Sequence, residues 1–247
     1  MKNKQRADQL LVNLGFYPSR EKAKRSILAG LVSAEKYPKL KPGQLVALDT
    51  QFHIKERERF VSRGGYKLDG AIVAFDLCLD GMVALDIGSS TGGFTDCLLQ
   101  CGVSKVYAVD VGKGLIDWRL RNDSRVILIE EKNARYLTQQ DLPEQVDVIT
   151  VDVSFISLKK IVPAALSLLK DNGYILTLVK PQFEAGKGQV GKNGVVKDEK
   201  LISTILQDMI EFFISIGLVL RGQVRSSIRG PAGNKEYILW AAKPLRT

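Results

Sequence analysis

The apolar positions of this 247-residue chain fall into two regimes. Up to about residue 59 they are sparse and recur at helical spacing; beyond it they gather in short runs with helical segments between them. In the first regime Ala7, Leu10, Leu11 and Leu14 share one face of a helix over residues 6–14, which Gly15 stops. Pro18 and Ser19 lead into a second helix, with Ser19 as N-cap, Ala23, Ile27 and Leu28 as the inner face and Gly30 at the C-terminal stop. Short apolar runs at 31–33 and 45–48, separated by Pro38, Pro42 and Gly43, predict small strands with turns. The charged stretch K-E-R-E-R at 55–59 has no core pattern, so a domain boundary is expected there, giving units of 1–59 and 60–247.

In the second regime Gly64 and Gly65 mark a turn, after which Tyr66, Lys67 and Leu68 open a helix toward Phe75. Strands are predicted at 82–85, 105–109, 126–129, 146–151, 174–179, 218–225 and 236–242, with helices at 94–100, 159–169 and 198–216. That alternation is the mark of a parallel α/β sheet. Only residues 226–235 join the last two strands, too few for a crossover helix. The final strand must therefore run antiparallel to its neighbour and start at the rim where the parallel strands end.

At 45% hydrophobic the chain can bury a full core, and no run reads as a membrane span. Its longest apolar stretch, 201–220, is interrupted by Asp208 and Glu211 at helical period. Residues 1–6 are polar and basic with no apolar region behind them long enough for a signal peptide, so a cytoplasmic protein is expected. Cys78, Cys97 and Cys101 are odd in number without C-x-x-C spacing and read as reduced thiols, and the single His53 leaves no zinc site; no metal is expected. The net charge of +9 is uneven: residues 1–59 hold 13 Lys and Arg against 6 Asp and Glu, residues 60–247 hold 23 against 21. A polyanion-binding module joined to a nearly neutral body fits that asymmetry. Its exposed helix face carries Arg20, Lys22, Lys24 and Arg25, and Arg20, Lys24 and Arg25 are the expected contacts to the phosphates of such a polyanion.

Candidate chemistry centres on A-L-D-I-G-S-S-T-G-G-F-T-D at 84–96, where a strand runs through a glycine-rich turn into a helix. Glycines let backbone N–H groups approach a ligand, and the helix N-terminus favours negative charge. The dinucleotide pattern G-x-G-x-x-G fails at its second glycine, so the loop alone is compatible with a cofactor cradle or a structural turn. Other strands end in Asp110, Asp152 and Lys180, and Glu236 returns to the same rim, where ligands of open α/β sheets bind. Asp110 stands where a carboxylate can accept both hydroxyls of a ribose. The stretch G-K-G-Q-V-G-K-N at 186–193 has Asn193 where a P-loop needs Ser or Thr. Nucleotide hydrolysis is set aside, and Lys187, Lys192 and Lys197 read as a mobile basic loop near the site.

Two resemblances carry the reading further. The pattern R-x-D-x-L-L-x-x-L-G followed by S-R-x-x-A-x-x-x-I-x-x-G-x-V resembles the S4 RNA-binding domain over residues 6–52, departing from it at Ala34-Glu35-Lys36-Tyr37. The segments A-L-D-I-G-S-S-T-G-G-F-T-D, D-V-S-F-I-S-L, L-V-K-P-Q-F-E and G-N-K-E-Y look like those of the FtsJ/RrmJ class of RNA ribose 2′-O-methyltransferases. With S-R-G-G-Y-K-L between these modules, the whole chain resembles the TlyA family, often labelled hemolysin. The resemblance implies an α/β fold: a Rossmann-like, seven-stranded, S-adenosylmethionine-dependent methyltransferase domain behind a small α+β S4 domain. It implies a tetrad of Lys67, Asp152, Lys180 and Glu236, and methylation of ribose in ribosomal RNA, at cytidine, with ribosomal RNA or subunits as partner. S-adenosylmethionine is expected on Asp86, Gly88, Ser89, Ser90, Thr91, Gly92, Gly93, Phe94, Asp110 and Asp152, with Lys180 taking the hydroxyl proton. Two rivals are weighed. A membrane-damaging toxin is disfavoured by the missing span and by polar helix faces of mixed charge, and an inactive assembly factor is disfavoured by the intact tetrad.

Overall fold

The computed structural model describes residues 4–55, 58–186 and 188–245, and the chain divides into two compact units, Met1–Arg59 and Phe60–Thr247. The first unit runs β1 (Lys4–Arg6), α1 (Ala7–Asn13), α2 (Arg20–Leu28), β2 (Val32–Ala34), β3 (Leu45–Ala47) and β4 (Phe52–Ile54). β1 pairs with β3 and β2 with β4, both antiparallel. Ala7, Leu10 and Leu11 of α1 meet Ala23 and Ile27 of α2, closing a small core with Val32 and Val46. Ser19 caps α2 by accepting the Lys22 N–H, and Gly15 and Gly30 adopt φ of 78° and 71° just beyond the two helices.

Expectation and structure differ here in two respects. Leu14 and Leu28 are exposed, because each stands at the last turn of its helix, beyond the surface the partner helix covers. Two of the four strands, β1 and β4, were not expected; β1 is Lys-Gln-Arg and carries no apolar residue to mark it.

The second unit contains α3 (Gly64–Ala74), β5 (Val83–Ile87), α4 (Gly93–Gln100), β6 (Lys105–Val109), α5 (Trp118–Arg121), β7 (Val126–Ile129), β8 (Val146–Val151), α6 (Val162–Leu166), β9 (Leu169–Val179), α7 (Pro181–Glu184), α8 (Glu199–Ser215), β10 (Val219–Arg225) and β11 (Tyr237–Ala242). Its seven strands lie in the order β10-β11-β9-β8-β5-β6-β7. β5 to β9 pair in parallel, and β11 is antiparallel to both β9 and β10. The chain winds outward in both directions from β5, so β5 and β8 form the switch point. One face of the sheet, with Ile87, Ile149 and Val151, is covered by Ile202, Leu206, Met209 and Phe213 of α8. The other, with Ala84, Val106 and Val148, is covered by Leu68 and Ile72 of α3 and Leu98 of α4. Each of these Val, Leu, Ile, Met and Phe side chains contributes roughly 1.5–3 kcal/mol of burial. Among the described residues no helix is long and apolar enough to cross a membrane.

Two elements depart from expectation. The helix at 159–169 is instead a 3-10 turn, Leu158–Lys160, and the short α6; Leu168 and Leu169 are drawn into the sheet, where the Leu168 carbonyl accepts the Val146 N–H. β9 is consequently long, and its register against β8 jumps between Val146 and Val148 to absorb residues near Asn172 (φ 64°). Gly64 and Gly65 are not a turn but the first residues of α3. A Cβ on Gly65 would lie 2.3 Å from the Phe60 ring, so the glycine is required by close packing.

Candidate active site

Past the carboxyl ends of β5, β6, β8 and β9 lie the glycine-rich loop, Asp110, Asp152 and Lys180. Tyr237 opens β11 opposite Val179, which returns Glu236 to the rim beside Lys180. The loop after β5 is fixed from several sides. Gly88 and Ser89 donate N–H bonds to the Val109 carbonyl at 2.9 and 3.1 Å, and the Ser90 N–H donates to Asp110 Oδ2 at 2.8 Å. The Gly112 N–H occupies Asp110 Oδ1 at 2.7 Å, which leaves each carboxylate oxygen a free lone-pair direction. Gly88 (φ 83°) has no room for a side chain: a Cβ would lie 2.4 Å from the Asp152 carbonyl oxygen.

Asp86 is placed differently from expectation. It is fully buried, with Thr95 and Thr150 donating hydroxyl bonds to its two oxygens at 2.7 and 2.9 Å. Burial pushes its pKa up to about 6, against the two hydroxyl bonds. It braces β5 to α4 and β8. Gly92 at φ 94° caps α4, and a Cβ there would lie 2.2 Å from Leu120.

Two adjoining cavities share Gly88, Ser90 and Asp152. The first, about 510 Å³, is lined by Ser62, Arg63, Gly64, Lys67, Ser89, Thr91, Gly93, Phe94, Arg229 and Gly230. The second, about 530 Å³, has apolar walls from Val109, Val111, Leu115, Ala134, Val153, Ile156 and Ile161, with Asp110 and Asn133 as polar groups.

The four expected tetrad residues form two ion pairs: Lys67 lines the first cavity and Asp152 both, and each pairs with a residue that lines neither, Glu236 and Lys180 respectively. Lys67 Nζ lies 2.6 Å from Glu236 Oε2, and Lys180 Nζ lies 2.5 Å from Asp152 Oδ1 while donating to Ser154 Oγ at 2.9 Å. Lys67 and Lys180 are 8% exposed and Glu236 1%, an enclosure in which unpaired charges would be costly. Pairing is not full satisfaction. Glu236 Oε1 has no hydrogen-bond donor among the described residues, whereas Asp152 Oδ1 is occupied by the Lys180 ammonium, whose three N–H groups reach both it and Ser154 Oγ. A buried acceptor such as Glu236 Oε1 is open to a donor such as a hydroxyl. Glu236 Oε1 also faces Gly230, where a Cβ would stand 2.1 Å from it.

The basic face of α2 is exposed, with a difference in detail. Arg20 Nε donates to Asp8 Oδ2 at 3.2 Å, beside Arg6 Nη2 on the same oxygen at 2.8 Å. The Arg6 guanidinium, with help from Arg20, holds the buried Asp8 carboxyl below the usual range. Arg25 stands 3.8 Å from Glu21. Lys197 is exposed, whereas Lys187 and the side chain of Lys192 lie outside the described residues. The 186–193 stretch follows α7, not a strand.

Sequence reasoning missed several lining residues. Ser154 and Phe155 stand two and three positions after Asp152, and Phe155 is 90% exposed at φ 63°. Lys132, Asn133 and Arg135 follow β7, and extending the strand-end rule to that strand would have found them.

A model of the FtsJ-like methyltransferase family matches residues 60–243. The chain belongs to that family. YqxC of Bacillus subtilis, provisionally named an rRNA methyltransferase, is 44% identical over 96% of this chain and 85% of its own. TlyA of Mycobacterium tuberculosis, named a 16S/23S rRNA (cytidine-2′-O)-methyltransferase, is 42% identical over 97% of this chain and 90% of its own. A solved structure from Streptococcus thermophilus, provisionally named a hemolysin, superposes with a TM-score of 0.74 at 40% identity, covering 99% of this chain and 90% of that one. As an FtsJ-like methyltransferase the protein takes its methyl group from S-adenosylmethionine. The second cavity fits that group chemically, with apolar walls for a nucleobase and, in Asp110, a carboxylate with acceptor capacity for ribose hydroxyls.

Proposed function

We propose that this protein methylates the 2′-hydroxyl of a cytidine ribose in ribosomal RNA, with S-adenosylmethionine held in the second cavity by Gly88, Ser90, Asp110 and Asp152. The observation that carries the reading is the two buried ion pairs beside the cavities, of which the Lys67–Glu236 pair leaves Glu236 Oε1 without a donor among the described residues. The names of the M. tuberculosis and Campylobacter jejuni relatives support the substrate.

S-adenosylmethionine supplies an electrophilic sulfonium methyl. The protein must place a weakly nucleophilic hydroxyl against it and remove its proton as the bond forms. Glu236 Oε1 accepts from the hydroxyl and orients it, while Lys67 holds the other oxygen of that carboxylate. Lys180, held by Asp152 and Ser154, takes the proton as its neutral amine, having first given up its own proton. Phe155 presents an exposed ring at the mouth on which a base can stack. The first unit serves as an S4-like RNA-binding domain, with Arg20, Lys24 and Arg25 on backbone phosphates, and the protein works in the cytoplasm on ribosomal subunits.

The test compares Lys180→Ala and Lys180→Arg with wild type, using labelled S-adenosylmethionine and unmodified subunits. Both variants should lose methyl transfer while calorimetry shows cofactor affinity retained, because guanidinium stays charged and cannot accept a proton. Substantial turnover by Lys180→Arg would remove Lys180 from the role of proton acceptor.

A further inference from the structure

The carboxylate of Glu184 stands outside both cavities, yet it joins the two segments that carry the Lys180–Asp152 pair. The chain leaves β8 through Asp152, Ser154 and Phe155 into the 3-10 turn that begins at Leu158. The start of this loop is tied to the sheet by the Asp152 N–H on the Ile87 carbonyl at 2.9 Å. Its far end is tied by Glu184: Oε2 accepts from Ser157 Oγ at 2.5 Å and Oε1 from the Leu158 N–H at 2.9 Å. Glu184 ends α7, the short helix that Lys180 precedes. Positions 180, 183 and 184 are spaced i, i+3, i+4 and meet the loop in order. Lys180 contacts Asp152 and Ser154, the Phe183 ring lies 4.9 Å from that of Phe155, and Glu184 holds Ser157 and Leu158.

We propose that Glu184 is a positioning residue for methyl transfer, bracing the Asp152–Ser157 loop against α7 so that Asp152 and Ser154 hold the Lys180 amine in place. This rests on the proposed function. Without the brace the loop loses both hydrogen bonds that tie its far end to α7, keeping there the Phe155–Phe183 contact and the burial of Leu158, and the amine loses its alignment. Small misplacements of reacting groups cost on the order of a hundredfold in rate.

The test uses the full-length protein in steady-state methyl transfer to unmodified ribosomal subunits. Glu184→Ala should lower kcat about a hundredfold and leave KM for the subunits within about twofold, since Glu184 lines neither cavity. Glu184→Gln should stay within about threefold of wild type, because its amide can accept from Leu158 and donate to the Ser157 hydroxyl. Amide exchange at Leu158, read without RNA, should speed up in Glu184→Ala and not in Glu184→Gln. An active wild type with an equally active Glu184→Ala overturns the inference alone; so does a Glu184→Gln as impaired as Glu184→Ala, or a loss confined to KM. A wild type that binds S-adenosylmethionine but does not methylate ribosomal RNA overturns the functional reading, and this inference with it.

Discussion

Substituting Asp86 by Asn should stabilise the second unit at neutral pH and not in acid. Asp86 has no exposed surface, and its pKa lies at about 6, against about 3.9 for an aspartate in an unfolded chain. Because the folded value is raised, the protonated form is the one the fold favours. The stability it brings is fully present below about pH 4 and is lost as pH rises through about 6. Two pKa units correspond to roughly 3 kcal/mol. Asn has nearly the same shape and no charge, and the Thr95 and Thr150 hydroxyls can rotate to serve its oxygen and its amine. The stability of Asp86→Asn minus that of wild type should therefore grow by roughly 3 kcal/mol between pH 4 and pH 7.5. Other carboxylates cancel in that difference, including Asp8, Asp117, Asp123 and Asp141, held below the usual range by hydrogen bonds from Arg6, Arg119, Arg125 and Lys132. Urea unfolding followed by tryptophan fluorescence is the assay, because both tryptophans, Trp118 and Trp240, belong to the second unit. A difference that does not change with pH, or that shrinks as pH rises, would refute the reasoning.

Asp110→Ala removes the acceptor that fixes Ser90 and Gly112 and that is assigned to the cofactor ribose; calorimetry should show affinity for S-adenosylmethionine reduced by at least about tenfold. Gly230→Ala places a methyl 2.1 Å from Glu236 Oε1, so methyl transfer should fall on the order of a hundredfold with cofactor affinity unchanged, and a wild-type rate would show that the position of Glu236 does not matter. The triple change of Arg20, Lys24 and Arg25 to Ala should weaken RNA binding regardless of sequence and flatten its salt dependence. An unaltered salt slope would remove the α2 face from the RNA interface.

Much of the sheet was legible because parallel strands buried on both faces read as continuous apolar runs. The runs at 105–109, 126–129 and 146–151 coincide with β6, β7 and β8. Topology did the rest: a ten-residue connection fixed the sense of β11 and so returned Glu236 to the rim of Lys180. Where the sequence misled, tertiary contacts had overruled local pattern. The 159–169 segment has helical composition, but the Val146 N–H takes the Leu168 carbonyl into the sheet. Gly64 and Gly65 look like a turn because the Phe60 ring that demands a glycine at 65 is invisible to periodicity. Asp86 sits inside a ligand-like motif, but its two threonine partners, one of them 64 residues away, enclose it. The partnership of Lys180 with Ser154, and of Glu184 with Ser157, depends on two loops meeting side by side, which no spacing along one of them reveals.

The most direct measurement incubates the purified protein with methyl-labelled S-adenosylmethionine and ribosomal subunits that lack the modification, then digests the RNA and identifies the labelled nucleoside by mass spectrometry. A 2′-O-methylated cytidine is expected from wild type and none from Lys180→Ala. Label on a base, or no label in any nucleoside from a wild type that binds S-adenosylmethionine, would contradict the assignment of this rim to ribose methylation.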